Sequence, residues 1–418
     1  MKRIFSRYLV CLVLTLALCG TMLPRPAYAA AVFDGGSGTA ANPYLISTAA
    51  QLNQLRNSSY NSKYFKLTAD ITFAAADFES GGTYYNSGIG WVPISFAGTL
   101  DGDGHTIRGL YQTISSKQAY GGLFSKLTGA TVKNLNLVDC SIQVNAGASK
   151  YSSCYAYVGG IAGYLEKTSS ISNCTVSGTI QVNNSTDRNS KSYSYVGGII
   201  GYLAVENGTI TGCKNEANVT SSVKHEGGGT SGFYDYVGGI VGYMNESASI
   251  SECCNLGSLE AAGNGGGIVG KGNGPIQRCY NAGDIYGNTT NRKTPVVGGI
   301  AGAMGTATEI GDCFNYGSLS GFQTGGIIGN IGSSVSGLKI QNCYSASHSS
   351  IIGKSYASSL SVQACYYIRS SSGSGGISGT YPRTDAQLRT QSTFSGWDFT
   401  DVWTMEGQSV LCSRYNQW

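Results

Sequence analysis

Thirteen cysteines, three histidines, 23 acidic residues and 28 tyrosines are the side chains in this 418-residue sequence that could do chemistry. A thiol serves as nucleophile, metal ligand or half of a disulfide. Seven cysteines recur at one place in a repeated block: Cys174, Cys213, Cys253, Cys279, Cys313, Cys343 and Cys365. One thiol per block lines up along a stack, whereas zinc wants four ligands around a point. The block ATVKNLNL carries Leu135 at the same place, so the position reads as apolar and the thiols as buried packing groups. Ile171 and Cys174 lie three apart, which strict strand alternation puts on opposite faces, so a bend must fall between them. Cys140 and Cys154 stand off this ladder, symmetric about Gly147, and are the candidate disulfide of an exported chain.

Acid–base and metal chemistry find little to build on. His105, His225 and His348 are far apart, H-E-x-x-H is absent, and no acidic pair repeats. Asp101-Gly-Asp103-Gly-His105 resembles a calcium loop only superficially, because the twelfth position is Gln112 rather than Glu. It reads as a Gly-rich turn. No catalytic, cofactor or metal set is expected. Asn215, Asn255, Asn281 and Asn315 follow four of the repeat cysteines by two residues and read as an asparagine ladder in a turn. The tyrosines are the more pointed signal. Tyr155/Tyr157, Tyr193/Tyr195 and Tyr234/Tyr236 are i, i+2 pairs, so each pair shares one strand face. They form a column that either packs beneath neighbouring inserts or is an exposed strip for stacking on sugar rings or anchoring a protein.

The elements that position these residues are repeats. A Gly-Gly-Ile-x-Gly block recurs at Gly159, Gly197, Gly238, Gly266, Gly298 and Gly325, with a weaker form at Gly121, in steps of 27 to 41 residues. Gly counts 61, charged residues are only 12% and aromatics 11%, a composition for tight turns and short strands rather than helices or disorder. A unit of ~30 residues cannot bury its own apolar face and must stack on its neighbours. The expected fold is all-β: a right-handed parallel β-helix of about three strands per coil, with rungs ~4.8 Å apart and a length of roughly 40 Å. A β-propeller, the main alternative, needs blades of near-constant length. The T-x-x-Q boxes at Thr48–Gln51 and Thr384–Gln387 predict short capping helices at both ends. Three early repeats are longer through inserts such as TIQVNNSTDRNSKSYSYV, read as hairpin arms or long loops.

GGIAGYL, GGIIGYL and GGIVGYM, each followed by I-x-x-C, resemble GLUG-motif repeats of secreted and surface proteins of bacteria. Some such proteins are filamentous-haemagglutinin-like adhesins; in others the repeats precede the catalytic part of IgA-specific metallopeptidases. GSGTAANPYLISTAAQLNQL resembles that family's N-terminal cap, FAGTLDGDGHTIRGL its first coil and TFSGWDFTDVWTM its C-terminal segment. The resemblance implies a β-helix and brings no catalytic residues.

Residues 1–29 read as a signal peptide: Lys2, Arg3 and Arg7, an apolar run from Tyr8 to Leu23, and Ala27-Tyr28-Ala29 for cleavage. A lipoprotein anchored at Cys19 is the competing reading, weakened by Leu18 before it. Taking Lys2, Arg3, Arg7 and Arg25 from the 27 basic residues leaves 23, matching the 23 acidic ones. A neutral mature chain gives no footprint for nucleic acid. No later run of apolar residues is long enough for an integral membrane segment. The expected organisation is residues 30–95 as N-terminal cap and first strands, 96–370 as β-helix and 371–418 as C-terminal cap. The expected role is non-enzymatic adhesion or binding of a glycan or extracellular protein at the cell surface or outside it, through the insert-bearing face. The alternative is a polysaccharide-active lyase or hydrolase.

Overall fold

Strands in this chain find their partners one coil earlier and one coil later. The computed structural model describes residues 32–149, 151–187, 189–204, 208–225, 232–245, 247–288, 294–306, 308–368, 378–406 and 409–412. Residues 1–29, the expected signal peptide, and Trp418 lie outside them. Among the described residues every strand pair is parallel except Trp403–Glu406 with Ser409–Cys412, beside one isolated bridge between Gly90 and Gln112. The fold is a parallel β-helix.

One coil shows the plan. Ser153–Gly159 belongs to a seven-stranded sheet, Ala162–Glu166 to a nine-stranded one, Ser170–Ser172 to an eleven-stranded one and Thr175–Thr186 to a sixteen-stranded one. These are called the first to fourth sheets. A coil thus has four faces rather than the three strands expected, because a Gly-Gly pair turns the chain between the first and second sheets. In-register stacking builds the core. Leu100, Val132, Ile171, Ile210, Ile250, Ile276, Ile310 and Ile340 form one unbroken column in the third sheet, all essentially fully buried. Each contributes about 1.5–3 kcal/mol by leaving water.

The bend that the cysteine ladder requires is present. The residue before each ladder position is left-handed: Asn134, Asn173, Gly212, Glu252, Arg278, Asp312, Asn342 and Ala364 have φ between 50° and 64°. This corner turns Leu135 and the seven cysteines into the core, where each is buried at 0–1% exposure. Their thiols are free and donate to carbonyls two residues back, for example Cys174 Sγ to Ser172 O at 3.3 Å and Cys313 Sγ to Gly311 O at 3.1 Å. Burial pushes the Cys174, Cys253 and Cys313 thiols well up, which keeps them protonated.

The inserts are not hairpins. Thr175–Thr186 extends the fourth sheet outward, in register with Asn136–Ala148 from Ile142↔Ile180 to Ala148↔Thr186. The chain returns as Lys191–Gly197 in the first sheet, in register with Ser153–Gly159. Outgoing and returning strands hydrogen-bond to adjacent coils, and together they make a two-sheet wing. The wing also overturns the predicted Cys140–Cys154 disulfide. Both cysteines are free and buried. Cys140 sits where the outgoing strand leaves the rod, and Val158 of the returning strand packs level with Ile142 and Val144 near Gly121. Cys154, four residues before Val158, therefore lies toward the tip, several rungs of strand length from Cys140.

Both capping boxes form. Gln51 N donates to Thr48 Oγ1 at the helix Ala49–Asn53, and Gln387 N to Thr384 Oγ1 at Asp385–Leu388, each at 3.2 Å. The C-terminal segment does more than close the last coil. Thr380–Arg383 adds a strand to the fourth sheet beside Cys365–Ile368. The chain then folds back along that sheet's outer side, with Trp403 against Phe314 at 5.8 Å and Trp397 against Tyr366 at 5.8 Å between ring centroids.

Candidate functional site: a tyrosine field on two adjoining sheets

Alternation decides which way the tyrosines face. In Ser153–Gly159, Lys191–Gly197 and Gly232–Gly238, Ala156, Val158, Ser194, Val196, Asp235 and Val237 are buried, so the tyrosines between them face out. Register then stacks them. Tyr155, Tyr193 and Tyr234 form one column with ring centroids 4.8 and 4.7 Å apart. Tyr157, Tyr195 and Tyr236 form a second, at 5.1 and 5.8 Å. The six candidate residues are brought together, as two columns rather than one.

Four further tyrosines complete the field and were missed in the sequence. Tyr120 extends the second column, 5.1 Å from Tyr157. Tyr164, Tyr202 and Tyr243 stack in the second sheet at 5.1 and 4.9 Å and meet Tyr157, Tyr195 and Tyr236 edge to face. Their signal was in plain view: Tyr follows the Gly-Gly-Ile-x-Gly blocks at Gly159, Gly197 and Gly238 and none of the three later ones. A lysine closes each end. Lys126 precedes Tyr164 in register and Lys271 follows Tyr243. The Lys126 ammonium lies 5.2 Å from the Tyr120 ring and 5.5 Å from the Tyr164 ring, within range of the ring quadrupole.

The geometry has a chemical consequence. Rings stacked face to face along the rod cover one another's faces, so the field presents edges and hydroxyls outward. Those hydroxyls stay protonated. Burial, then the neighbouring tyrosines, push Tyr202 and Tyr236 up to about 12, and shift Tyr157 and Tyr195 further in the same direction. The field is therefore a donor-rich aromatic surface with a cation at each end.

Behind it the wing interior turns polar. Asn184 Nδ2 donates to Ser192 Oγ and Ser194 Oγ, both at 2.8 Å. Ser221 Oγ donates to Asp235, whose other oxygen accepts from Gly263 N at 2.9 Å. Burial pushes the Asp235 carboxyl up to about 6.

The Gly-rich turn at Asp101–His105 uses its acids internally. Lys133 pairs with Asp101 at 3.0 Å, Lys66 with Asp103 at 2.9 Å, and His105 Nδ1 meets Asp70 at 3.1 Å. Among the described residues no group of three or more His, Cys, Asp or Glu side chains is placed to hold a metal ion. A cleft of about 450 Å³ near the N-terminal end is lined by Phe73, Phe78, Tyr111, Glu79 and Asp139 among others, and Asp139 is ion-paired with Arg108.

Fold and site together define a class: a parallel β-helix that displays an aromatic ladder at the root of a two-sheet wing. The chain carries the GLUG motif, matched over residues 155–181, which span the second tyrosine pair's upstream neighbour, one Gly-Gly-Ile block and Cys174. Halomucin of Haloquadratum walsbyi is 38% identical over 117 residues, 26% of this chain and 1% of that protein. A "Putative Gly-rich membrane protein" of Evansella cellulosilytica is 37% identical over 119 residues, 27% of this chain and 13% of that protein. The chain thus spans a small part of these relatives. A solved structure described as "a putative immunoglobulin A1 protease from Bacteroides ovatus" aligns over 91% of this chain and 95% of its own, at 19% identity and a TM-score of 0.46. No helix among the described residues is long and apolar enough to cross a membrane.

Proposed function

We propose that this chain is a secreted or surface-associated binding protein, without enzymatic activity, that contacts a glycan or an extracellular protein through its tyrosine field. The carrying observation is the field itself: ten tyrosines held in three ladders on the wing-bearing side, flanked by Lys126 and Lys271. A core needs no such surface, since the apolar columns inside already hold the coils together. Tyrosine offers large contact area with a polar tip at low entropic cost, which suits a recognition surface. The leader at residues 1–29 and relatives named as a halomucin and a membrane protein support a location outside the cytoplasm. Tyr155, Tyr193 and Tyr234 are the outermost column, and Tyr234 is 41% exposed. Replacing all three by Ser should abolish binding to a ligand found by screening glycans and matrix proteins, at a cost of about 2 kcal/mol or more. Unchanged binding with a large fall in melting temperature would assign the column to packing instead.

A second reading, a polysaccharide-active enzyme, is favoured by one observation: Glu79 and Asp139 line the same cleft beside Tyr111. Its test is release of reducing ends from acidic and neutral polysaccharides, with Glu79→Gln and Asp139→Asn as controls. Activity lost in both variants would establish it.

A further inference from the structure

The ladders stop at a groove. Tyr236 has Asn264 as its register partner in the next coil, so no ring covers it on that side. Below it opens a depression of about 320 Å³, lined by Tyr236, Lys271, Met304, Asn273, Thr306 and Asn330, among other residues. Three features of this groove point to one kind of ligand. First, among the described residues its lining contains no carboxylate. Second, the half-buried Lys271 ammonium stands 5.8 Å from the Tyr236 ring and 5.7 Å from the Tyr243 ring. Burial lowers its pKa, with no charged partner among the described residues to offset the shift, so an incoming anion would restore what desolvation costs. Third, the amides there are oriented or idle. Asn273 Nδ2 donates to Tyr243 Oη at 2.9 Å, and the buried Asn330 Oδ1 has no partner among the described residues, so this half-buried amide gains by turning toward a ligand hydroxyl.

We propose that this groove is a subsite for a carboxylate-bearing sugar residue of an acidic polysaccharide, with the sugar packed against Tyr236 and its carboxylate on Lys271. The inference rests on the field being a binding surface and names its ligand class. A chain leaving the subsite along the rod would cross the tyrosine hydroxyls and reach Lys126 four rungs away, ~19 Å at ~4.8 Å per rung. The two lysines are then the ends of one acidic-glycan track. A shape-matched protein partner is the other outcome of the test.

The test uses the purified chain with polygalacturonate, alginate and hyaluronan, the methyl ester of polygalacturonate, and neutral dextran. At least one acidic polymer should bind, weakening as salt rises. Dextran and, if polygalacturonate is the polymer bound, its ester should bind at least about tenfold more weakly. Lys271→Met should erase that discrimination at unchanged melting temperature, and Lys271→Arg should keep it. The subsite is overturned if no acidic polymer binds, if acid and neutral or esterified forms bind alike, or if Lys271→Met binds as the unaltered protein does. In each of those cases, a matrix protein or neutral glycan bound by the unaltered chain and lost by the triple tyrosine variant leaves the field standing. Loss from neither variant removes both readings.

Discussion

Asn215, Asn255, Asn281 and Asn315 are fully buried amides, and the Nδ2 of each donates to a carbonyl two residues on. Asn281 Nδ2 donates to Gly283 O at 2.8 Å and to Asn315 Oδ1 at 2.7 Å, while its own Oδ1 accepts from Asn255 at 2.7 Å. Asn281→Ala strands three buried partners, so it should cost about 3 kcal/mol in denaturant unfolding. Asp235 gives a pH signature. Its folded pKa is about 6 against an ordinary 3.8, because burial disfavours the charge. The folded chain holds that proton more tightly than the unfolded one. Stability from this group is therefore greatest below about pH 4, falls as pH rises to about 6 and is then level, a change of about 2–3 kcal/mol. Asp235→Asn should flatten that slope in melting curves taken from pH 4 to 7. The ladder amides were legible because Asn recurs with the period. Asp235 was not: a single acid between two tyrosines carries no sign of what the opposite wall of a wing will offer it. The residues before the ladder cysteines hid their role too. Glu252, Arg278 and Ala364 are not residue types that announce a left-handed corner.

At the scale of elements, the two repeated blocks explain each other. The second glycine of four Gly-Gly pairs, Gly198, Gly239, Gly267 and Gly299, lies against the asparagine ladder across the coil. A Cβ on Gly267 would fall 2.2 Å from Gly299 O and 2.4 Å from the Asn281 side chain. Gly267→Ala should therefore destabilise by about 3 kcal/mol or more, or prevent folding. Gly147→Ala, in the wing with nothing within 4 Å of the added carbon, should change stability by no more than about 0.5 kcal/mol. The thermal unfolding of the two variants side by side checks this. Period, coil stacking and both capping boxes could be read from the sequence, since each follows from local pattern. The wing could not. An alternating run, a polar turn and a return strand fit a hairpin equally well. What decides is that parallel partners already wait in the neighbouring coils. The same choice of partner keeps Cys140 from Cys154, a separation that their symmetric spacing concealed.

At the scale of the molecule, the rod is a set of columns that run its length, and its reactivity should reflect that. The seven ladder thiols should resist a thiol reagent while the protein is folded and become reactive on denaturation, because each is sealed between coils. Rapid labelling of all seven in native buffer would contradict the stack. The C-terminal segment ties the last three coils from outside through Phe314, Tyr344 and Tyr366, so labelling should begin at the coils that it does not cover. Register has a consequence for inheritance as well. Excising residues 238–265 would join Val237 to Gly266 and recreate the same junction, since Val-Gly-Gly-Ile becomes Val-Gly-Gly-Ile again. Every column would close over the gap, and Lys271 would take the rung of Tyr243. A gene encoding such a rod can gain or lose whole coils in single events without redesigning an interface. The span between its two cations would then change in fixed steps of ~4.8 Å, so ligand length becomes a trait set by copy number.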